Sequence, residues 1–332
     1  MRPLAEQVIV ITGGSSGIGR VTALAAVARG AKVAIAARGT DALEAARREI
    51  EGAGGEVLAV PTDVAEFAQV GALGRRTVER FGRIDTWVNA AAVSVYGEFD
   101  QIEPEEFRRV IEVDVLGTAY GAKVALAQMK RQLEGGTIVN VSSGLGDRAV
   151  PLQSAYSASK AAVNGFGESL RVELAHAGSP VRVTTIKPAS IDTPFFRHAR
   201  SKMGAAPAPV PPVYDPDLVA EAILHAATHP VRELSVGGAS AALSTLEKVA
   251  PALLDVSLKL VGYRTQQADR PASATEPDNL FAGSVGPGSV RGAIGGRRFS
   301  LYTALAMRPP AKPLAWAALA LAGIATARAR RG

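Results

Sequence analysis

The sequence predicts an α/β protein, built on a doubly wound parallel sheet of about seven strands and followed by a C-terminal helical and flexible extension. Short apolar runs alternate with longer amphipathic stretches from the start of the chain to about residue 237. The runs are rich in Val and Ile and nearly continuous in hydrophobicity, as expected for strands buried on both faces. A βαβα alternation of this length predicts a parallel sheet with helices on both sides.

The elements follow one another in a regular order. The predicted strands are Val8–Thr12, Lys32–Ala36, Glu56–Val60, Thr86–Asn89, Thr137–Val141, Val181–Ile186 and Arg232–Val236. The predicted helices between them include Gly17–Arg29, Asp41–Gly52, Glu66–Phe81, Pro104–Leu133 and Ser154–His176. Ligands of such sheets bind at the carboxyl ends of the strands, so we look for chemistry there.

Composition limits the classes of protein. The 332 residues are 47% hydrophobic and 20% charged, which is typical of a globular chain with one large domain and an appendage. There is no cysteine, so disulfides, thiolate ligands and thiol nucleophiles are excluded. The opening apolar run leads straight into a glycine loop and does not resemble a secretory signal, so we expect a cytoplasmic protein.

The net charge of +6 comes from the C-terminal part of the chain. From Asn279 onwards there are eight basic and no acidic residues, whereas residues 1–278 hold 29 basic and 31 acidic ones. Nucleic-acid binding would require basic residues spread over a folded face and interleaved with aromatics. We therefore expect no nucleic-acid partner.

A glycine turn follows the first strand and opens the first helix. Gly13, Gly17 and Gly19 in ITGGSSGIGRV would let backbone N–H groups and the helix N-terminus approach a phosphate. A tight turn without a ligand is the alternative interpretation.

A tyrosine and a lysine lie four residues apart in SAYSASKAAV. Tyr156 and Lys160 would share a helix face, and a nearby cation lowers the pKa of a phenol, as a proton-transferring tyrosine requires. Taken alone, the spacing equally fits a packed tyrosine and a solvated lysine.

The run TGGSSGIG (residues 12–19), followed by Ser143, Tyr156 and Lys160, resembles the short-chain dehydrogenase/reductase family. The resemblance covers residues 5 to about 237, and it implies a Rossmann-type catalytic domain over residues 1–237. It implies that Tyr156 exchanges a proton with the substrate oxygen and that Lys160 holds the nicotinamide ribose and lowers the pKa of the tyrosine. Ser143 would polarise the substrate, with Ser142 as the less favoured neighbour. The family often has an asparagine where this chain has Asp114, so a carboxylate would hold a water or pair with a cation.

The resemblance also implies a set of cofactor-binding residues. They are Gly13, Ser15, Ser16, Gly17, Ile18, Gly19, Arg38, Asp63, Val64, Asn89, Ala90, Tyr156, Lys160, Pro188, Ile191 and Thr193. Two loop glycines of the family are replaced here by Ala91 and Ala189. Ala37 stands where NAD-binding members place a carboxylate, and Arg38 follows it. A guanidinium suits a 2′-phosphate, so we predict NADP(H).

The region after the sixth strand is expected to form a substrate lid. Its candidate apolar lining is Phe195, Phe196, Met203 and Val210. Glu221, His225 and His229 recur every four residues, but their place near a helix C-terminus favours a structural role, and we predict no metal.

The remaining chain divides into a helical extension (residues 238–263), a flexible linker (264–298) and an apolar basic tail (299–332). The stretch Leu314–Ala327 has no charge but is short for a membrane span. We expect either packing on the protein or peripheral contact with the inner membrane surface.

We therefore predict an NADP(H)-dependent oxidoreductase that acts on a carbonyl or secondary alcohol of a lipophilic small molecule, and that forms a homo-oligomer. The alternative is a non-catalytic NADP(H)-binding regulator or a membrane-surface scaffold.

Overall fold

The structure, a computed structural model, describes residues 1–272 and 278–308. In chain order its strands are β1 (Val8–Thr12), β2 (Lys32–Ala37), β3 (Val57–Pro61), β4 (Thr86–Asn89), β5 (Val95–Tyr96), β6 (Gly136–Val141), β7 (Val181–Pro188), β8 (Arg200–Ser201), β9 (Ala205–Pro207), β10 (Glu233–Val236) and β11 (Gln267–Pro271). The helices are α1 (Gly17–Val27), α2 (Thr40–Gly52), α3 (Phe67–Phe81), α4 (Pro104–Ile111), α5 (Gly117–Met129), α6 (Ser154–His176), α7 (Phe195–His198), α8 (Asp217–Thr228), α9 (Gly238–Val249), α10 (Pro251–Val261) and α11 (Leu301–Ala306).

Seven strands form one parallel sheet in the order β10-β7-β6-β4-β1-β2-β3. The predicted fold class is confirmed, and each predicted strand is present with its ends shifted by two residues at most. The chain order reverses between β1 and β4, which makes their carboxyl ends the switch point where ligands bind in sheets of this kind.

Helices cover both faces of the sheet, as alternating side chains of β1 illustrate. Ile9 and Ile11 belong to the core under α1, α2 and α8, whereas Val10 belongs to the core under α3, α4, α5 and α6. Both faces of the sheet are buried, which explains why the sequences of the strands are continuous apolar runs.

The structure differs from the single predicted helix Pro104–Leu133. This part of the chain forms α4, one wide π-helical turn at Glu112–Leu116, and α5, which ends at Met129. Such a turn inserts a residue into the helical ladder and often lies at a functional site. Here the wide turn contains Asp114.

Residues 264–272 and 278–298 also differ from the flexible linker that their composition predicts. β11 pairs antiparallel with β9, and the side chains of Gln266 and Leu280 are fully buried. Backbone hydrogen bonds and a few buried side chains fix this polar segment on the catalytic domain, and composition alone does not record such contacts.

Within the two ranges that the structure describes, no helix has the length and hydropathy needed to cross a membrane. The apolar stretch Leu314–Ala327 lies outside the described residues.

Candidate active site

The carboxyl ends of β1, β4 and β6 are tied together by polar side chains. The hydroxyl oxygen of Thr12 accepts hydrogen bonds from the N–H groups of Ala90 (3.2 Å) and Ala91 (3.4 Å). Asn89 donates to the Asn140 side chain at 2.9 Å and accepts from the Trp87 indole N–H at 2.8 Å. The Asn89 side chain therefore fixes the spacing of the strands and does not face a ligand.

The glycine turn after β1 is packed closely against the start of α1. Gly13 has φ +70°, a conformation that side-chain-bearing residues rarely adopt. A Cβ atom at Gly19 would lie 2.2 Å from the Gly13 carbonyl oxygen. The two glycines let the N-terminus of α1, with the positive end of its dipole, point into the cleft, where the Gly17 N–H is paired with the Ser289 carbonyl at 2.9 Å.

Arg38 follows β2 at the adjacent corner of the cleft. Its guanidinium donates to the backbone carbonyls of Leu280 (3.3 Å) and Asn279. Burial and the neighbouring Arg109 lower the pKa of Arg38, and Asp63 opposes this shift. The side chain of Asp63 pairs with Arg109 and accepts the N–H of Ala65.

The structure brings Ser143, Tyr156 and Lys160 together, and Asp114, the fourth predicted catalytic residue, lies beside Lys160. Ser143 follows β6, and Tyr156 and Lys160 lie in the first two turns of α6. The Lys160 Nζ atom is 5.3 Å from the centroid of the Tyr156 ring. Burial and the charge of Asp114 raise the pKa of Tyr156, while a hydrogen bond with Ser143 lowers it. The net upward direction differs from the lowered pKa that the spacing of Tyr156 and Lys160 predicts.

Burial is the larger cause of this difference, and Asp114 adds to it because it pairs with the same lysine. Its Oδ2 atom lies 3.5 Å from Lys160 Nζ and accepts the Ser159 hydroxyl at 3.0 Å, and its Oδ1 atom accepts the Val93 N–H at 2.9 Å. Asp114 is fully buried, and Lys160 is 2% exposed. The pKa of Asp114 is raised, because burial outweighs the lowering by Lys160, the Val93 N–H and Ser159. The charge of Lys160 is thus shared with a carboxylate instead of acting on the phenol alone.

The loop after β7 lines the cleft next to the glycine turn. The Ala189 N–H donates to the Val236 carbonyl at 2.8 Å, and Ile191 forms a bridge with Tyr214. A Cβ atom at Gly17 would lie 3.3 Å from the Cβ of Thr193, so this loop and the glycine turn are neighbours.

These elements surround a cavity of about 430 Å³. The predicted site residues that line it are Gly13, Ser15, Ser16, Gly17, Ile18, Gly19, Arg38, Val64, Ala90, Ser143, Tyr156, Lys160, Pro188, Ile191 and Thr193. Asp63, Asn89 and Asp114 are not among its lining residues. Each of these three has its polar atoms engaged by other protein groups.

Beyond Tyr156 the cavity is mainly apolar. The Phe195 ring lies 5.3 Å from the Tyr156 ring, centroid to centroid, and Phe196 and Val210 also line the wall, as predicted for the lid. Met203, the fourth predicted lid residue, is not among the lining residues.

The C-terminal region supplies lining residues that sequence reasoning missed. They are Ala239, Ser240, Leu243, Leu258, Gly262, Thr265, Gln266, Asn279, Gly283 and Ser284. The apolar faces of α9 and α10 could have indicated the residues that lie on these two helices. Nothing in the sequence pattern indicates the last three.

The histidines of α8 have structural partners. The rings of His225 and His229 stack at 4.1 Å, and Glu221 pairs with Arg29 at 2.6 Å. These contacts agree with the structural interpretation of the repeat.

The cavity residues fit a nicotinamide dinucleotide. The glycine turn offers N–H groups to a pyrophosphate, Arg38 and Lys160 add positive charge, and the wall beside Tyr156 is apolar enough for a nicotinamide ring.

Comparison with known proteins agrees with this geometry. The family model described as short chain dehydrogenase matches residues 7–204. The uncharacterized oxidoreductase YxnA of Bacillus subtilis is 38% identical over 313 residues, which cover 93% of this chain and 87% of that protein. The 3-ketodihydrosphingosine reductase of Bos taurus is 35% identical over 193 residues, 57% of each chain. The alcohol dehydrogenase of Thermococcus sibiricus, solved with 5-hydroxy-NADP, superposes with a TM-score of 0.60 at 29% identity, covering 69% of this chain and 95% of that one.

The chain belongs to the short-chain dehydrogenase family. It is an oxidoreductase that binds a nicotinamide cofactor and acts on CH–OH or C=O groups by hydride transfer.

Proposed function

We propose that this enzyme uses NADP(H) and reduces a carbonyl, or oxidises a secondary alcohol, of a lipophilic small molecule. The observation that carries the proposal is the position of Ser143, Tyr156 and Lys160 on one wall of a cavity that becomes apolar directly beyond them. A substrate oxygen at this wall would meet the polar groups, while its hydrocarbon would remain in the apolar part.

The bound nicotinamide supplies or accepts the hydride. In the reducing direction, the Tyr156 hydroxyl gives its proton to the carbonyl oxygen, and the Ser143 hydroxyl donates a hydrogen bond to the same oxygen. Lys160 offsets the negative charge that remains on Tyr156, to the extent that Asp114 leaves its charge available.

The preference for NADP(H) is supported by the corner after β2. Ala37 removes the carboxylate that would bind a ribose 2′-OH, and Arg38 offers a guanidinium to a 2′-phosphate. A guanidinium has five N–H donors, and the carbonyls of Asn279 and Leu280 engage two of them, so others are available for a phosphate.

The lipophilic substrate is supported by the lining of the inner cavity. Its bulky side chains include Phe195, Phe196, Val210, Leu243 and Leu258. Burial of apolar surface contributes about 25 cal/mol per Å², so this wall favours hydrocarbon over polar groups of similar size. The bovine relative is named 3-ketodihydrosphingosine reductase, which agrees with this proposal.

Oxidation of NADPH by the purified full-length protein should be followed with a panel of ketones and aldehydes of increasing chain length. We expect kcat/KM to rise with hydrocarbon length and to be higher with NADPH than with NADH.

Tyr156→Phe should abolish turnover and still bind NADPH, because only the proton donor is removed. Arg38→Ala should weaken NADPH binding by about 1.5–3 kcal/mol, the value of a hydrogen bond to a charged group, and weaken NADH binding less, because only NADPH carries the 2′-phosphate. A wild-type preference for NADH would contradict the cofactor assignment.

A non-catalytic regulator or scaffold is the alternative. It predicts tight NADPH binding with no turnover of any carbonyl in the panel, and equal behaviour of the wild type and Tyr156→Phe. Ser143, Tyr156 and Lys160 all line the same cavity, which favours a catalytic protein over a non-catalytic one.

We also propose peripheral contact with a membrane surface. The outward sides of α10 and α11 carry exposed apolar residues, among them Leu253 (61% exposed), Leu260 (71%) and Leu301 (64%). The inner side of α10 lines the substrate cavity through Leu258, so one helix separates the cavity from this apolar surface.

A further inference from the structure

Residues 278–298 cross the open side of the cofactor cleft, and we call this segment the strap. At its start, Asp278 pairs with Arg200 at 2.8 Å, and the side chain of Leu280 is fully buried in the core on one face of the sheet. At its other end, Arg291 binds both carboxylate oxygens of Asp215, at 2.9 and 3.0 Å. The strap is therefore fixed to the catalytic domain on both sides of the cleft.

Between these anchors, the strap contacts the residues expected to hold the adenosine end of the cofactor. Arg38 donates to the Leu280 carbonyl at 3.3 Å, and Arg109 donates to the same carbonyl at 3.2 Å. Because two guanidinium groups repel each other, a shared carbonyl acceptor stabilises their close approach. The strap thus determines where the Arg38 side chain lies.

The strap also contacts the glycine turn at the pyrophosphate end. The Gly17 N–H donates to the Ser289 carbonyl at 2.9 Å, and Arg20 donates to the Pro287 carbonyl at 2.8 Å. Both donors belong to the first turn of α1, next to the expected phosphate position.

The backbones of the strap and of the corner after β2 touch. A Cβ atom at Gly283 would lie 2.6 Å from the Gly39 nitrogen, and one at Gly39 would lie 2.7 Å from the Ser284 carbonyl oxygen. Real Cβ atoms do not approach so closely, so this contact requires glycine at both positions.

The strap forms a wall of the cofactor cavity and leaves the cavity open. Asn279, Gly283 and Ser284 line the same cavity that reaches Gly13 at the turn and Tyr156 at the catalytic wall. A segment that occupied the cofactor position would divide this cavity.

We propose that the strap is a functional part of the cofactor site: it positions Arg38 beside the adenosine end and slows release of the bound dinucleotide. The proposal requires only a nicotinamide cofactor and is independent of the carbonyl substrate and of the preference for NADP(H).

Release of NADPH and of NADH should be measured by stopped-flow fluorescence, without substrate, on the full-length protein. In Gly283→Ala the added methyl group must push the strap away from Gly39, and in Leu280→Ala the buried anchor is lost. We expect each variant to release NADPH about tenfold faster, the effect of losing one or two hydrogen bonds. Gly52→Ala is the matched control, because a Cβ at Gly52 has nothing within 4 Å.

Hydrogen exchange provides a second measurement that needs no variant. We expect NADPH to slow exchange of the wild-type strap amides, including those of Asn279 and Gly295, which donate to His198 O and to the Asp192 carboxylate. Exchange that the cofactor leaves unchanged or accelerates would overturn the proposal. Slower release or tighter binding in Gly283→Ala and Leu280→Ala would also overturn it, because the strap would then compete with the cofactor.

Discussion

At the scale of single residues, Asp114 changes the electrostatics of the proton-transfer site. Its carboxylate lies 3.5 Å from Lys160 and competes with Tyr156 for the charge of the lysine. Its own charge also raises the pKa of the phenol, in addition to the larger effect of burial. An asparagine at this position would remove that negative charge and keep an acceptor for the Val93 N–H.

We predict that Asp114→Asn retains activity within about tenfold and shifts the pH profile. With the ionised carboxylate gone, the pKa of Tyr156 falls, so the alcohol-oxidising rate, which needs the phenolate, should rise at a lower pH than in the wild type. The measurement is kcat/KM for alcohol oxidation as a function of pH, together with Tm, because one partner of a buried pair is neutralised.

Asp85→Asn is the control for that experiment, since Asp85 is also buried but lies at the amino end of β4, where it binds the Val8 N–H. It should leave the pH profile unchanged. A loss of several orders of magnitude in Asp114→Asn, without a loss of folded protein, would mean that the carboxylate has a distinct chemical role.

The sequence predicts the contact between Tyr156 and Lys160 but not the contact between Lys160 and Asp114. Tyr156 and Lys160 are four apart on one helix, so their neighbourhood follows from helical geometry. Asp114 meets Lys160 across 46 positions, through a wide turn that depends on tertiary packing. Burial of Tyr156 and the charge of Asp114 both depend on tertiary packing, so the upward pKa direction of Tyr156 could not be predicted from the spacing.

At the scale of elements, the far anchor of the strap is an ion pair whose strength depends on pH. Burial raises the pKa of Asp215, but hydrogen bonds from Arg291 and the Asp217 N–H lower it, and the net direction is downward. A depressed folded pKa contributes stability above the unfolded value of about 3.9, and this stability is lost as the pH falls through the folded pKa.

We predict that Arg291→Ala lowers the free energy of unfolding at pH 7 by about 1–3 kcal/mol, the range for a hydrogen-bonded charge whose partner is partly buried. The difference from the wild type should shrink as the pH falls below about 3.9, where the unfolded chains gain the proton, and on through the lower folded pKa of Asp215. Urea unfolding at pH 7 and at acid pH measures this. Arg264→Ala, in the same C-terminal region, should show no such pH dependence, and a difference that persists at acid pH would assign Arg291 a role other than this pair.

The elements themselves follow closely from the pattern of apolar residues, with one class of exception. The seven sheet strands and α6 agree with the sequence because burial on both faces, or a long uninterrupted helix, leaves a clear periodicity. The strap has no periodicity. It is held by carbonyls and glycines that meet residues far along the chain, many of them more than 170 positions away, and backbone contacts of that kind leave no sequence signal.

At the scale of the whole molecule, α10 has an apolar surface on both sides. Its inner side lines the cavity through Leu258, and its outer side exposes Leu253 and Leu260. Exposed apolar residues that cluster on one surface mark a contact with another apolar phase or protein. The basic residues that follow Asn279 along the chain favour an anionic lipid surface.

We predict that the full-length protein sediments with anionic lipid vesicles at low salt, and that the double variant Leu253→Glu/Leu260→Glu reduces the bound fraction severalfold, because two carboxylates oppose both apolar burial and the anionic surface. Leu133→Glu is the control, as Leu133 is 99% exposed on a different part of the domain. If the wild type stays in the supernatant, the membrane proposal fails. A change in molar mass by light scattering in the double variant would identify the surface as a contact between copies.

The location of the cavity wall limits how this enzyme can be shortened or recombined. The doubly wound sheet is complete at Val236, so a protein truncated after this residue would retain all seven strands. It would lack Leu243, Leu258 and Gln266 around the substrate and Gly283 beside the cofactor, all of which come later in the chain. A chimera that exchanges everything after β10 would therefore replace one side of both compartments at once, so substrate range and cofactor retention should be inherited together from the donor of that C-terminal part.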